Sequence, residues 1–203
     1  MADKPQDSGP GTRTTGSRAR KPRADAQRNR LRLLDAAAEV FSAGGPDASL
    51  EAVARTAGVG IGTLYRHFPT REDLFEAVYR HEVDQLHDLS LKLGSEAAPV
   101  DGLRRWLHAS VRLVATKKGM LVALALAAQG SSELHAYTAE RLTASVGSLL
   151  DRAVAAGEIR ADVAPDDLLL TLVGMCYQMY GKPDWQAKVL RLIDIFVDGL
   201  RTR

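Results

Sequence analysis

A single cysteine, Cys176, stands in 203 residues, so no disulfide can form within the chain and a reducing compartment is the simplest setting. Aromatic residues are scarce at 5%. No apolar run approaches the ~18 residues that a membrane-spanning helix needs. The longest, Met120 to Ala128, is far too short. The N-terminus, MADKPQDSGPGTRTTGSRARKPRAD, has no apolar stretch of the kind a secretory signal carries. Strand signals are nearly missing: alternating apolar and polar runs rich in Val, Ile and Thr do not occur. Metal and catalytic signatures are missing too. Among His67, His81, His87, His108 and His135 no two are spaced i, i+4 on one helical face. There is no HExxH, no Cys pair, no nucleophile elbow, and no glycine-rich phosphate or dinucleotide loop. Cys176 lies within an apolar helical stretch, where a thiol is expected to be inert. These absences lead to the expectation of a soluble cytoplasmic protein that is not an enzyme, with no metal and no cofactor.

What is present is ordinary for a globular chain: 45% hydrophobic and 26% charged residues, enough for a core. The net charge of +2 hides an asymmetry. Nine basic and three acidic residues up to Arg32 give that end +6, which leaves −4 on the remainder. Such an arm either meets a polyanion at one end of the molecule or is a solvated tail. Residues 1–22 hold no aliphatic side chain beyond Ala and are expected to be disordered.

Helical spacing recurs from there on. Leu33, Ala37, Val40 and Phe41 share a face, and Gly44-Gly45-Pro46 stops that helix. Ser49 is placed to cap a helix over 50–57, and a short helix follows over 61–67, ended by Pro69. Thr70, with Asp73 three residues on, is placed to open a long helix to about Leu93. A helix from Pro99 is expected to close at Lys117-Lys118-Gly119, with a short apolar one from Met120 to Gln129 after it. Others are expected from Ser132 to Ala156, from Pro165, and from Pro183 to Arg201. The expected fold is all-α, with about nine helices.

Residues 49–68, SLEAVARTAGVGIGTLYRHF, read as a helix-turn-helix. Val53, Ala54 and Ala57 give the first helix a small apolar face that allows a close crossing. Leu64 and Phe68 seat the second helix on the core. Its other face carries Gly60, Gly62, Thr63, Tyr65, Arg66 and His67, small at the start and rich in donors further on. A helix of that shape fits a major groove of ~12 Å. Plainer readings stand beside these: Tyr65 as a half-buried aromatic, Arg55 as a solvated charge, and His67 as carrying little meaning alone.

Over 33–78, and most specifically in LEAVARTAGVGIGTLYRHF and PTREDLFEAV, the chain resembles the TetR family of bacterial transcriptional regulators. The resemblance implies a DNA-binding head over 23–69, preceded by the basic arm 1–22. It also implies a helical effector-binding and dimerisation body over 70–203. It implies a recognition helix in which Thr63 meets base edges or phosphate and Tyr65 and His67 meet phosphate, with further phosphate contacts from Ser49 and Arg71. Two positions depart from the family pattern: Gly60 replaces a frequent Ser or Thr cap, and Ile61 a frequent polar residue. Ile61 either touches a thymine methyl or only packs. Arg20, Arg23, Arg28 and Arg30 are candidates for flanking phosphate or minor-groove contact.

In the body, LLLTLVGMCYQMY over 168–180 is apolar nearly all round, which calls for burial on more than one side. With the stripe Val189, Ile193, Phe196, Val197 and Leu200 on the last helix, Leu168 and Leu172 become candidates for a two-fold homodimer interface. The alternative is that both helices complete a monomeric core. Trp106, His108, Met120, Leu124, Tyr137, Met175, Cys176 and Met179 either line an effector cavity or are ordinary core. The expectation is a ligand-responsive repressor that binds a double-stranded, pseudo-palindromic DNA operator as a homodimer, with an unknown small-molecule effector and no membrane contact. A small-molecule-binding or scaffold protein whose helix-turn-helix no longer reads DNA is the alternative.

Overall fold

The computed structural model describes residues 20–44, 48–124 and 132–202. Eight α-helices, and no strand, occur among the described residues: α1 (Arg20–Gly44), α2 (Leu50–Thr56), α3 (Ile61–His67), α4 (Arg71–Glu96), α5 (Pro99–Leu124), α6 (Ser132–Ala155), α7 (Pro165–Met179) and α8 (Trp185–Gly199). No helix among them is long and apolar enough to cross a membrane.

The N-terminal helices share a small core. Leu33, Leu34, Ala37 and Phe41 of α1 are buried, and the Phe41 ring meets Phe75 of α4 edge-on, centroids 4.6 Å apart. Val53 and Ala54 of α2 and Leu64 at the centre of α3 complete it, with Phe68 just after α3. Residues 1–19 lie outside the described residues, but 20–22, read as disordered, already belong to α1. Arg20 and Lys21 are good helix formers, and Pro22 is tolerated in a first turn.

α4 leaves this unit and enters the body. Thr70 and Asp73 form the expected reciprocal cap: Thr70 Oγ1 accepts from the Asp73 N–H and Asp73 Oδ2 from the Thr70 N–H, both at 3.0 Å. At the far end the Arg152 guanidinium of α6 donates to the carbonyls of Ala97, at 2.7 Å, and Leu93, at 3.3 Å. The Leu93 carbonyl also accepts from the Ala97 N–H at 3.1 Å, and Arg152 adds a donor to the carbonyls at the helix end. Leu103, Trp106 and Leu107 of α5, Val146, Leu149 and Leu150 of α6, and inner residues of α7 and α8 close the body core.

The expected break at 117–119 is absent. α5 runs through it to Leu124, so one helix replaces two and the count falls from nine to eight among the described residues. Gly119 falls four residues after the buried Ala115, on the inner stripe, where α5 crosses α1 main chain to main chain. A Cβ at Gly119 would lie inside the van der Waals shell of the Phe41 carbonyl oxygen and 2.8 Å from its carbon. The two lysines stay on the helix because each finds a ring: Lys117 Nζ is 5.2 Å from the Tyr79 centroid, and Lys118 Nζ 4.0 Å from that of Tyr177. α8 starts at Trp185 rather than Pro183, after Asp184 with φ 54°.

Candidate nucleic-acid interface and body cavity

The turn between α2 and α3 explains how α3 is aimed. Val59 N–H reaches back to the Ala54 carbonyl at 3.0 Å, and Gly58 N–H to that of Arg55 at 3.1 Å. This paired pattern ends a helix when the residue between turns left-handed, and Gly58 does so with φ 68°. Val59 packs back on the core. Gly60 then caps α3 with extended backbone and no side-chain bond.

Leu64 points inward, so its opposite face is bare. Gly60, Ile61, Gly62, Tyr65 and Arg66 are exposed, Tyr65 at 47% and Ile61 at 37%, while Thr63 and His67 are half-buried. An added Cβ at Gly60 or Gly62 would meet nothing within 4 Å. Ser49 caps α2, its Oγ accepting from the Ala52 N–H at 3.0 Å, which leaves the hydroxyl proton free to donate. Arg71, expected to reach out to phosphate, folds back instead. Its Nη2 donates to the Ala48 carbonyl at 2.9 Å and its guanidinium lies 5.3 Å from the Phe75 centroid. It braces the start of α4 against the residue before Ser49. Arg30 comes to the end of α3, its guanidinium 5.1 Å from the Phe68 ring centroid. Arg28 pairs with Asp25 on its own helix. The side chains of Arg20 and Arg23 lie outside the described residues.

The eight candidate cavity residues do not come together. A partly open hollow of about 90 Å³ lies among α4, α5, α6 and α7, and only Trp106 of the eight lines it. Tyr79, Ser110, Leu113, Lys117, Leu172 and Tyr177 are among its other walls. His108 instead bonds Asp194 of α8 at 2.9 Å, and Tyr137 bonds the Asp84 carboxylate. Met120 and Cys176 are buried in the core, and burial pushes the Cys176 thiol up to about 11. Met175 and Met179 pack at the edge of the core, and the side chain of Leu124 lies outside the described residues. Tyr79 and Lys117 were missed; the signal available was their place on the inward stripes of α4 and α5.

The residues expected at a homodimer interface lie instead in the chain's own core. Leu168, Leu172, Val189, Ile193 and Val197 are buried within one protomer, at 4% exposure or less. Phe196 and Leu200 also pack partly on that core. Side chains that fill one protomer's interior are not its outer face. The outward apolar side chains on these helices are Leu170 at 75%, Val173, Tyr177 and, on α8, Ile195 at 62%.

One buried acid lies where α4 meets α5. Glu82 is 4% exposed; its Oε1 accepts from Arg112 Nε at 3.0 Å, and its Oε2 has no partner among the described residues. Burial pushes its carboxyl up to about 7 from 4.5, against the pull of Arg112. A raised acid favours the folded state most below 4.5, and that advantage is lost as pH climbs to about 7. Glu82→Gln is therefore expected to match the parent near about pH 5 and to exceed it by about 2 kcal/mol near about pH 8 in urea melts. A variant less stable than the parent at the higher pH would contradict this.

The description "Bacterial regulatory proteins, tetR family" fits residues 33–78, and "Transcriptional regulator SbtR-like, C-terminal domain" fits residues 98–202. The TetR transcriptional regulator SCO0520 from Streptomyces coelicolor is 43% identical, with TM-score 0.76, over 85% of this chain and 98% of that one. A TetR regulatory protein from Mycobacterium vanbaalenii is 32% identical, with TM-score 0.71, over 89% and 99%. The uncharacterized HTH-type regulator TtgW of Pseudomonas putida is 43% identical over 88 residues, 40% of this chain and 66% of that protein. The chain spans less than two thirds of the length of the curated relatives it matches.

Proposed function

This chain belongs to the TetR family of bacterial regulatory proteins, helix-turn-helix transcriptional regulators, and from that premise we propose that it is a ligand-responsive repressor gripping a pseudo-palindromic operator as a homodimer. A head over 23–69 reads DNA, and a body over 70–203 pairs with its copy and takes the effector. The observation that carries the reading is the bare outer face of α3. Its own chain leaves Ile61, Tyr65 and Arg66 uncovered, and Gly60 and Gly62 keep the backbone accessible. Ser49, Thr63, Tyr65 and His67 supply donors to phosphate or base edges, and Arg28 and Arg30 extend the positive edge along α1. Effector entry tilts α4 and so changes the spacing of the two α3 helices. Operator affinity falls only as far as the effector prefers the non-binding state.

Selection from random duplexes tests the reading: an enriched palindrome is expected, and no enrichment would favour a chain that no longer reads DNA. On the enriched site, Thr63→Ala and Tyr65→Ala are each expected to weaken binding about tenfold or more. Gly62→Ala separates folding from recognition. Alanine is the better helix former, so melts should show a gain of about 1 kcal/mol. The same methyl stands where the groove floor must approach, so binding in a gel shift should drop. A variant that is more stable and binds unchanged would remove Gly62 from the interface.

A further inference from the structure

The hollow inside the body carries chemistry specific enough to name a ligand class, and this inference rests on the effector reading above. Its walls are the rings of Tyr79, Trp106 and Tyr177 and the aliphatic side chains of Leu113, Val114, Leu142, Leu169, Leu172 and Val173. Most polar atoms there are already engaged. Trp106 Nε1 donates to the Leu86 carbonyl at 2.8 Å, and Ser110 Oγ to the Trp106 carbonyl at 2.9 Å. Lys117 is different. Its ammonium faces the Tyr79 ring at 5.2 Å, and no carboxylate among the described residues forms an ion pair with it. Burial alone draws its pKa below the ordinary lysine value. The two acids three residues either side of Tyr79 on α4 are held elsewhere, Glu76 by Arg80 at 2.9 Å and Glu82 by Arg112 at 3.0 Å. A half-buried cation answered only by a ring face lacks its natural partner, an anion that can accept its hydrogen bonds.

We propose that this cavity takes a small monocarboxylate with a compact apolar body, its carboxylate on Lys117 and its hydrocarbon between Tyr79, Trp106 and Leu172. A phosphate monoester would bring a second charge, and no second cation lines the hollow to meet it. An amine would set like charge against Lys117. The volume of about 90 Å³ suits a short branched chain rather than a polycyclic body.

Three probes of one shape test this on the full-length protein by calorimetry and thermal shift: isovalerate, isovaleramide and 3-methylbutylamine. Isovalerate is expected to bind about tenfold more tightly than the amide, and the amine least of all. Lys117→Met should lower isovalerate to the level of the amide while amide binding persists, which also reports an intact cavity. Lys117→Arg should keep the preference for the acid. If the amide or the amine binds as well as the acid, or Lys117→Met binds isovalerate like the parent, the carboxylate assignment falls and the effector site stands. If none of the three binds, the effector site at this hollow falls with it.

Discussion

Replacing Gly119 with alanine is expected to destabilise the protein by about 3 kcal/mol, at the upper end of what overpacking produces. The methyl would collide with main chain, the carbonyl group of Phe41, and not with the free end of a side chain. A side chain can rotate away, whereas a carbonyl inside a helix can move only with its helix. Shifting α1 outward would open the Phe41–Phe75 edge contact and expose residues at 0% and 5% accessibility. Urea denaturation followed by far-UV circular dichroism would measure the loss. Gly94→Ala is the matched control. Gly94 is also helical, but nothing lies within 4 Å of its added Cβ, so that variant should gain about 0.5–1 kcal/mol. Equal stability for Gly119→Ala and the parent would mean that α1 and α5 do not touch through their backbones.

Ile195→Asp, alone or with Leu170→Asp, is expected to convert a dimer to monomers without unfolding them. Both side chains are mostly exposed on the α7–α8 pair, and Leu170, Val173 and Tyr177 follow one another at i, i+3, i+7 along α7. An aspartate there is well solvated in a lone protomer, but in a two-fold interface it meets apolar surface and its own symmetry mate. Sedimentation should show the mass halve while the helical signal is kept. Val189→Asp is the contrast: it places a charge at a fully buried site and should unfold the protomer itself. A double variant that still sediments as a dimer would move the interface elsewhere.

Much of the fold was legible because local chemistry punctuates it. Thr70 with Asp73, Ser49, Pro99 and Pro165 announce helix starts through the groups they bond or lack, and all four act there as expected. Gly119 misled because glycine after two lysines is a stop signal locally, and the close crossing that requires it depends on a helix about 78 positions earlier. The outward face of α7 could not be read either. A stretch apolar nearly all round has no polar side to mark solvent, so the choice between Leu168 and Leu170 is made by where α6 and α8 pack. Arg71 shows the same limit at the head: charge and position suggest phosphate, while the nearby Ala48 carbonyl takes its guanidinium. Residues around the hollow come from four helices, and no short window brings them together.

The crossing at Gly119 has a mechanical consequence. Side-chain layers between helices give a little under load, because rotamers can readjust; two peptide chains in direct touch cannot. The junction of α1 with α5 is thus a bearing without play, about which the head can roll but from which it cannot separate. In the effector response proposed above, motion started in the body would reach the α3 end as rotation about that fulcrum, with the far tips of α1 and α3 sweeping the widest arc.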